Sequence, residues 1–164
     1  KSWDKERPSK KIFDVIFSIS NHKIIWGGNY FADLLPPSRG WLYWSKLMGG
    51  SFADGELAYT SLDSVVRQFT LCNKMKGKVH PPQKPDALMK WCINHLPEDT
   101  QTILDPFMGS GTTLVACQKL GRKGTGIELD PDYFEVACKR VDEAARQPDL
   151  FVKNPTKAKQ GSLI

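Results

Sequence analysis

Apolar residues recur at two different spacings along the first half of the chain. From Pro8 to Ser20 they recur every three or four residues, which predicts an amphipathic helix. Lys23–Trp26 predicts a short buried strand, and residues 30–35 are expected to form one helical turn. Three more segments rich in aromatic and β-branched residues predict further strands: Gly40–Lys46, Glu56–Thr60 and Val65–Leu71.

The second half of the chain combines helix and strand patterns. Pro85 is expected to open a helix that continues to about His95, because proline is favoured in the first turn. The buried stripe of this helix is predicted to contain Leu88, Met89, Trp91, Cys92 and Leu96. Residues 102–147 then follow the order strand, helix, strand, helix. Together with the strands before them, these elements predict an α/β fold.

One strand–turn–helix segment carries the strongest functional signal. Ile103–Leu104 predicts a strand that ends at Asp105–Pro106. Gly109–Gly111 predicts a tight turn, and a helix is expected over Thr112–Leu120. A helix that begins at a glycine turn directs backbone N–H groups toward a ligand.

The next strand supplies an acid for the same site. This strand is predicted over Gly124–Leu129 and ends on Glu128, where an acid accepts hydrogen bonds from ribose hydroxyls. The turn lacks the lysine of a P-loop, and Leu114 occupies the third glycine position of a dinucleotide fingerprint. A phosphate-free nucleoside cofactor such as S-adenosylmethionine therefore fits better than a dinucleotide.

Composition sets the bounds of the molecule. The 164 residues predict one domain at 1–147 and a basic tail at 148–164. No run approaches the ~18 apolar residues of a membrane helix, and the first residues lack the apolar core of a signal peptide. The formal net charge of +5 is compatible with nucleic-acid binding but does not demonstrate it. Solvated surface is the alternative for each basic cluster.

The cysteines give no sign of a metal or redox site. Cys72, Cys92, Cys117 and Cys138 are too far apart in sequence for a zinc knuckle or a redox dithiol. Cys117 and Cys138 fall on apolar helix faces, so buried free thiols in a reducing cytoplasm are expected. No metal site is predicted.

Three motifs resemble those of one enzyme family. Asp105–Thr113 (DPFMGSGTT) is similar to motif I of the DNA amino-methyltransferases that modify adenine N6 or cytosine N4. His80–Pro85 (HPPQKP) is similar to their motif X, and Gly126–Tyr133 (GIELDPDY) to their motif II. Three further segments resemble the middle motifs of short phage and prophage members: Ile24–Phe31, Trp41–Lys46 and Phe52–Tyr59.

The motif order is that of the permuted β class, in which the cofactor motifs follow the catalytic half. The resemblance extends from about Ser2 to Val141. It implies a Rossmann-like S-adenosylmethionine-dependent methyltransferase sheet with helices on both faces. Residues 1–79 would be the remainder of the catalytic and target-recognition half, and residues 80–147 the cofactor-binding half.

The resemblance also implies a role for each matching residue of motif I. The residues that would surround the cofactor are Asp105, Pro106, Phe107, Gly109, Ser110 and Gly111. Thr112 and Thr113 would cap the helix and hydrogen-bond the methionine moiety.

The other motifs would complete the pocket. Glu128 would bind the ribose hydroxyls, and Tyr133 would border the adenine. His80, Gln83 and Lys84 would close the methionine end, with Lys84 facing the carboxylate. A purely structural role is the alternative for each residue, and Lys84 could be a plain surface lysine.

Methyl transfer to an exocyclic amine needs more than a cofactor pocket, because the target base must leave the stack. In this family an Asp/Asn/Ser-Pro-Pro-Tyr/Phe loop accepts hydrogen bonds from the amine. Pro36–Pro37 and Pro81–Pro82 lack such neighbours, so no catalytic residue is assigned within the chain. In the family this loop lies upstream of the segment matching Ser2–Pro8. We therefore expect the carboxyl-terminal part of a longer enzyme, inactive by itself and lacking a strand beside Ile103–Asp105.

The expected partner is double-stranded DNA, with adenine N6 favoured over cytosine N4 by resemblance to phage-type members. The candidate phosphate contacts are Arg67, Lys74, Lys76 and Lys78. A bacterial cell or a phage-infected host cytoplasm is the expected location. A cofactor- or DNA-binding homologue without activity, half of a split enzyme, and an RNA or protein methyltransferase are the alternatives.

Overall fold

The computed structural model describes residues 7–47, 53–72 and 83–146. These residues form α-helices on two small sheets, which confirms the α/β class. In chain order the elements are α1 (Lys10–Ile19), β1 (Ile24–Trp26), a 3-10 helix (Gly28–Phe31), β2 (Trp41–Ser45), β3 (Gly55–Thr60), β4 (Arg67–Thr70), α2 (Asp86–Ile93), β5 (Thr102–Asp105), α3 (Thr112–Lys119), β6 (Lys123–Gly126) and α4 (Pro131–Arg146).

The first sheet has the strand order β1-β3-β2-β4. β3 is antiparallel to β1 and β2, whereas β4 is parallel to β2. The alternation predicted for β2 is confirmed, because Leu42 and Trp44 are each 1% exposed while Trp41 and Tyr43 are only partly buried. The Trp44 indole N–H donates to the Leu71 carbonyl at 2.9 Å, which links β2 to the end of β4.

The second sheet pairs β5 with β6 in parallel, and α3 forms the crossover between them. Two glycines of β6 allow α3 and the preceding turn to lie close to the strand. A Cβ at Gly124 would come within 2.9 Å of Leu114, and a Cβ at Gly126 within 2.2 Å of the Met108 sulfur. The absence of side chains at these two positions therefore sets the distance between β6 and the turn.

Helix α2 packs against both halves of the molecule. Leu88 and Cys92 are at most 2% exposed and belong to the core of the four-stranded sheet. Ile93, 3% exposed, belongs to a second core with Ala116 and Cys117 of α3. The predicted stripe was correct for Leu88 and Cys92 but missed Ile93, because α2 buries residues on two sides rather than one.

A cavity of about 990 Å³ lies between the two sheets. β1 and β5 both line it, and α1 contributes Ile12, Ile16 and Ile19. The side chain of Ile12 is 37% exposed and that of Ile19 is 59% exposed, so this apolar face of α1 is largely uncovered. Among the described residues no strand joins the sheets. The gap lies beside β5, where the resemblance implies a further strand.

Several element boundaries differ from the prediction. β6 ends at Gly126 rather than Glu128, because its partner strand β5 ends opposite it at Asp105. The Ile127 N–H still donates to the Asp105 carbonyl at 2.9 Å, and the Ile127 carbonyl accepts the Met108 N–H of the turn at 3.0 Å. Only residues 30 and 31 of the helical turn expected at residues 30–35 belong to the 3-10 helix, and β4 is shorter than Val65–Leu71. Pro85 is the N-cap of α2 and not its first helical residue.

The cysteine prediction was partly wrong. All four cysteines are free, and Cys92 and Cys117 are buried as small apolar side chains. Burial raises the pKa of Cys92 to about 12 and that of Cys117 to about 11, so both remain thiols at neutral pH. Cys138 is exposed instead of buried, because it lies on the outer side of α4.

Some predicted features lie outside the described residues. These are the Gly49–Gly50 break, His80, the three lysines at 74, 76 and 78, the boundary between residues 79 and 80, and the tail at 148–164. Within the described ranges, no helix combines the length and the apolar character that crossing a bilayer requires.

Candidate cofactor site

The turn between β5 and α3 contains two glycines in the left-handed region. Their φ angles are 52° at Gly109 and 76° at Gly111, and L side chains rarely adopt such values. Gly111 is the N-cap of α3 and offers no side-chain cap. The first N–H groups of α3 lack partners within the helix, so the helix presents its positive end at the turn. The prediction that Thr112 and Thr113 cap α3 was wrong, since both are helical residues.

The Asp105 carboxylate closes this turn from the inside. One oxygen accepts the backbone N–H of Phe107 at 3.0 Å, and the other accepts the Thr113 hydroxyl at 2.5 Å. Asp105 thereby links the end of β5 to the first turn of α3. The motif I acid therefore shapes the loop through its own hydrogen bonds.

Glu128 holds the same turn from the side of β6. Its carboxylate accepts the Gly109 N–H at 2.9 Å and the Asp130 N–H at 2.8 Å, through different oxygens. Each carboxylate oxygen has a second lone pair, so the group retains acceptor capacity for a ligand. Glu128 therefore combines a structural contact with the position expected of a ribose acceptor.

Apolar side chains are exposed around Glu128 and the turn. Phe107 is 61% exposed, Ile127 49% and Leu129 93%. Tyr133 is half-buried in the first turn of α4, where its backbone N–H donates to Asp130 at 3.3 Å. Sequence reasoning did not assign Ile127 and Leu129. The signal that could have identified them is their position on either side of an acid at the end of a predicted strand. Ligand sites typically combine apolar walls with a few polar groups.

Most of the predicted cofactor residues face the cavity between the sheets. Those that line it are Gln83, Lys84, Asp105, Pro106, Phe107, Gly109, Ser110, Thr112 and Thr113. Gly111, Glu128 and Tyr133 are not among the lining residues, although Glu128 contacts the lining residue Gly109. Arg67 is exposed on β4 and does not line this cavity. The tertiary fold thus brings the described parts of motifs I and X to one place.

Lys84 is held by a carboxylate that the sequence analysis did not assign. Glu56, on β3, accepts from Lys46 at 2.7 Å and from Lys84 at 3.1 Å through different oxygens. The Lys84 ammonium lies 5.2 Å from the centroid of the Trp26 ring, within cation–π range. Burial alone would raise the pKa of the Glu56 carboxyl, but the Lys84 and Lys46 ammonium groups outweigh it and hold the pKa below 4.5. The alternative of a plain surface lysine does not fit this environment.

Arg140 is a second residue that sequence reasoning missed. From α4, its guanidinium donates to the Ser110 carbonyl, to the Ser110 hydroxyl at 3.0 Å and to the Thr112 hydroxyl at 3.1 Å. The partners are about thirty residues apart in sequence, so no local pattern predicts this contact. Within the described ranges, no group of three or more His, Cys, Asp or Glu side chains is arranged to hold a metal ion.

Comparison with known proteins places the chain in a family. A family model described as DNA methylase, of the N6/N4 type, matches residues 3–139. The chain is 30% identical over 145 residues to the type II methyltransferase M2.LlaDCHI of Lactococcus lactis subsp. cremoris, covering 88% of this chain and 50% of that protein. A segment of 71 residues is 44% identical to M.HpaI of Haemophilus parainfluenzae, covering 43% of this chain and 22% of M.HpaI. The chain therefore spans about half the length of M2.LlaDCHI.

Two solved structures have the same fold. The structure of the M1.HpyAVI–SAM complex matches with a TM-score of 0.70 and 24% identity, over 83% of each chain. TTHA0409 from Thermus thermophilus, complexed with S-adenosyl-L-methionine, matches with a TM-score of 0.61 and 17% identity, over 84% of this chain and 76% of TTHA0409. These matches confirm the methyltransferase fold expected from the sequence.

Both matched proteins were solved in complex with S-adenosylmethionine, and this chain shares their fold. Because the family match covers most of its length, the chain belongs to the N6/N4 DNA methylase family. The resemblance to the DNA amino-methyltransferases is thereby confirmed.

The contacts of Glu56 predict how stability depends on pH. A carboxyl whose pKa is lower in the folded state stabilises the fold above its unfolded pKa, and this stabilisation is lost as pH falls through the folded pKa. Wild type should therefore lose free energy of unfolding faster than Glu56→Gln as pH falls below 4.5. At pH 7 we expect Glu56→Gln to be less stable by about 1–2 kcal/mol. Urea unfolding between pH 7 and pH 3 measures both effects, and parallel curves for the two proteins would contradict the assignment.

Proposed function

We propose that this chain is the cofactor-binding part of a DNA methyltransferase that transfers a methyl group from S-adenosylmethionine to an exocyclic base amine. Adenine N6 is favoured by the resemblance to short phage-type members. The observation that carries the proposal is the turn at Gly109–Gly111, whose Gly109 N–H donates to the Glu128 carboxylate at 2.9 Å. Family membership supports the choice of DNA as substrate.

The residues present fit the cofactor. The ribose hydroxyls would donate to the unused lone pairs of Glu128, and the adenine would lie among the exposed side chains of Phe107, Ile127 and Leu129. The methionine carboxylate would be attracted by the positive end of α3 and by Lys84, whose cluster with Lys46 and Glu56 carries one net positive charge. When bound, the cofactor supplies an electrophilic methyl group.

The acceptor half of the reaction needs groups from outside the chain. An exocyclic amine is a weak nucleophile, because its lone pair is delocalised into the ring. A hydrogen-bond acceptor beside the amine would localise that lone pair. Neither Pro36–Pro37 nor Pro81–Pro82 has an acid or amide before it and an aromatic residue after it. We infer that a separate segment carries the catalytic loop.

The gap between the sheets is the place where such a segment would enter. The carbonyls of Gln101, just before β5, and of Asp105, at its end, accept hydrogen bonds from Lys123 and Ile127 on the β6 side. Since backbone groups alternate along a strand, those of Thr102 and Leu104 point to the gap. On β1, the Lys23 carbonyl and the Gly27 N–H form hydrogen bonds on the β3 side. The backbone groups of Ile24 and Trp26 therefore point to the gap. Unpaired strand edges on both sides of a cavity of about 990 Å³ favour an added strand as its occupant.

A second candidate function is that of a non-catalytic cofactor- or DNA-binding homologue. The absence of an acid-Pro-Pro-aromatic sequence favours it. It differs from the first candidate in one outcome: no added segment would produce methyl transfer.

Methyl transfer decides between these candidates. We expect no transfer of labelled methyl from S-adenosylmethionine to duplex DNA by this chain alone. Transfer is expected after co-expression with the half of M2.LlaDCHI that the chain does not match. Leu104→Pro should abolish this gain, because it removes a backbone donor facing the gap while leaving the β5–β6 bonds intact. A thermal unfolding curve checks that the variant is folded. The experiment is repeated with the corresponding segment of the protein from which this chain comes. If neither added segment produces methyl transfer, the non-catalytic candidate is favoured.

Cofactor binding tests the ribose assignment. Glu128→Ala should weaken S-adenosylmethionine binding by about 1–3 kcal/mol, whereas the exposed control Glu135→Ala should not. Because Glu128 also holds the turn, the same measurement uses S-adenosylhomocysteine and its 2′-deoxy and 3′-deoxy analogues. Wild type should bind at least one deoxy analogue more weakly than S-adenosylhomocysteine, whereas Glu128→Ala should bind them equally. Removing the carboxylate and the hydroxyl separately and together isolates the free energy of the contact between them. Equal discrimination by both proteins would contradict this placement of the ribose.

Salt dependence tests the proposed DNA contacts. Arg67 is exposed on β4, and Lys74, Lys76 and Lys78 are proposed from charge and sequence position. Each alanine substitution should weaken binding to unrelated duplexes equally and reduce the slope of log K against log salt by about 0.9 per lost phosphate contact. Arg146→Ala on α4 is the control. Unchanged slopes for all four variants would identify these residues as ordinary surface.

A further inference from the structure

Arg140 reaches the cofactor turn from helix α4. Its guanidinium donates to Ser110 and to Thr112, the residues on either side of Gly111. Arg140 itself is not among the residues that line the cavity. The guanidinium thus contacts the residues of the turn, one through its backbone carbonyl and two through side-chain hydroxyls.

Helix α4 also contacts the turn at Gly111. A Cβ added to Gly111 would lie 2.8 Å from the Ala137 Cβ, so the helix packs directly on the glycine backbone. Ala137 and Arg140 are three residues apart and therefore share one face of α4. One face of this helix thus meets three consecutive turn residues.

The start of α4 is attached to the same turn by a second route. The Asp130 side chain accepts the Asp132 N–H at 3.0 Å, which caps α4. The Asp130 backbone N–H donates to Glu128, whose other oxygen accepts from Gly109. The turn is therefore joined to α4 at both ends, through Glu128 near Gly109 and through Arg140 around Gly111.

Partial burial removes water from the Arg140 guanidinium, which disfavours its charged form. Partial burial lowers the pKa of Arg140, and the carboxylates of Asp86 and Glu143 only partly offset the effect. Hydrogen bonds from a charged donor to the three turn oxygens compensate for the lost hydration. By contrast, Arg146 on the same helix is exposed.

We propose that Arg140 is a positioning residue that keeps the Gly109–Thr112 turn in the conformation that receives the cofactor. The proposal rests on the S-adenosylmethionine site proposed above. Two glycines with positive φ give the turn many accessible conformations when nothing fixes it. Affinity falls in proportion to the fraction of molecules in the binding conformation, so loosening the turn weakens binding without removing a ligand contact.

The test compares Arg140→Met, Arg140→Lys and the matched control Arg146→Met in the full 164-residue chain. Calorimetry measures the dissociation constant of S-adenosylmethionine, and hydrogen–deuterium exchange measures the amides of residues 109–113. Arg140→Met should bind roughly tenfold more weakly and exchange faster at the turn, with unchanged exchange in β2 and α2. Arg140→Lys should recover part of both losses, and Arg146→Met should match wild type.

The outcomes separate this proposal from the proposed function. Wild-type affinity together with unchanged turn exchange in Arg140→Met would overturn the positioning role. Faster exchange throughout the protein, without rescue by lysine, would also overturn it, because it indicates general destabilisation. If wild type does not bind S-adenosylmethionine, the proposed cofactor fails, and turn exchange alone decides whether Arg140 fixes the turn.

Discussion

The packing of α2 between the two sheets is the interaction on which the described structure depends. Leu88 and Cys92 are buried against the four-stranded sheet, and Ile93 is buried against α3. Among the described residues no backbone ladder joins the sheets, so side-chain packing carries this connection. Because Lys84 precedes α2 directly and the glycine turn precedes α3, the same packing sets the position of the lysine relative to the turn.

The turn itself is held by contacts from three parts of the chain. Asp105 closes it from the end of β5, Glu128 bonds Gly109 from the segment after β6, and Arg140 bonds Ser110 and Thr112 from α4. A binding loop built on left-handed glycines needs such support, since glycine loses the most conformational freedom on ordering. The support comes from two carboxylates, Asp105 and Glu128, and one guanidinium, Arg140.

Local patterns in the sequence predicted the elements that local energetics control. The alternation in β2, the helix pattern of α1 and the strand–glycine–helix order after Thr102 all hold in the structure. The prediction failed where tertiary contacts changed a local preference. β6 ends at Gly126 because its partner β5 ends opposite it, and Cys138 lies on the exposed side of α4. Ile93 is buried because α2 has a partner on a second side.

The sequence by itself determined the family, the glycine turn and the acid that follows the next strand, because each depends on residues adjacent in the chain. Only the tertiary structure revealed the contacts of Glu56 and Arg140. Glu56 contacts Lys84, and Arg140 contacts Ser110, each about thirty residues away in sequence. Local hydrophobic periodicity therefore cannot predict these contacts. Tertiary packing also decided that the β1 and β5 edges face one cavity. Which edges face each other depends on how the sheets pack, and local sequence preference does not encode that arrangement.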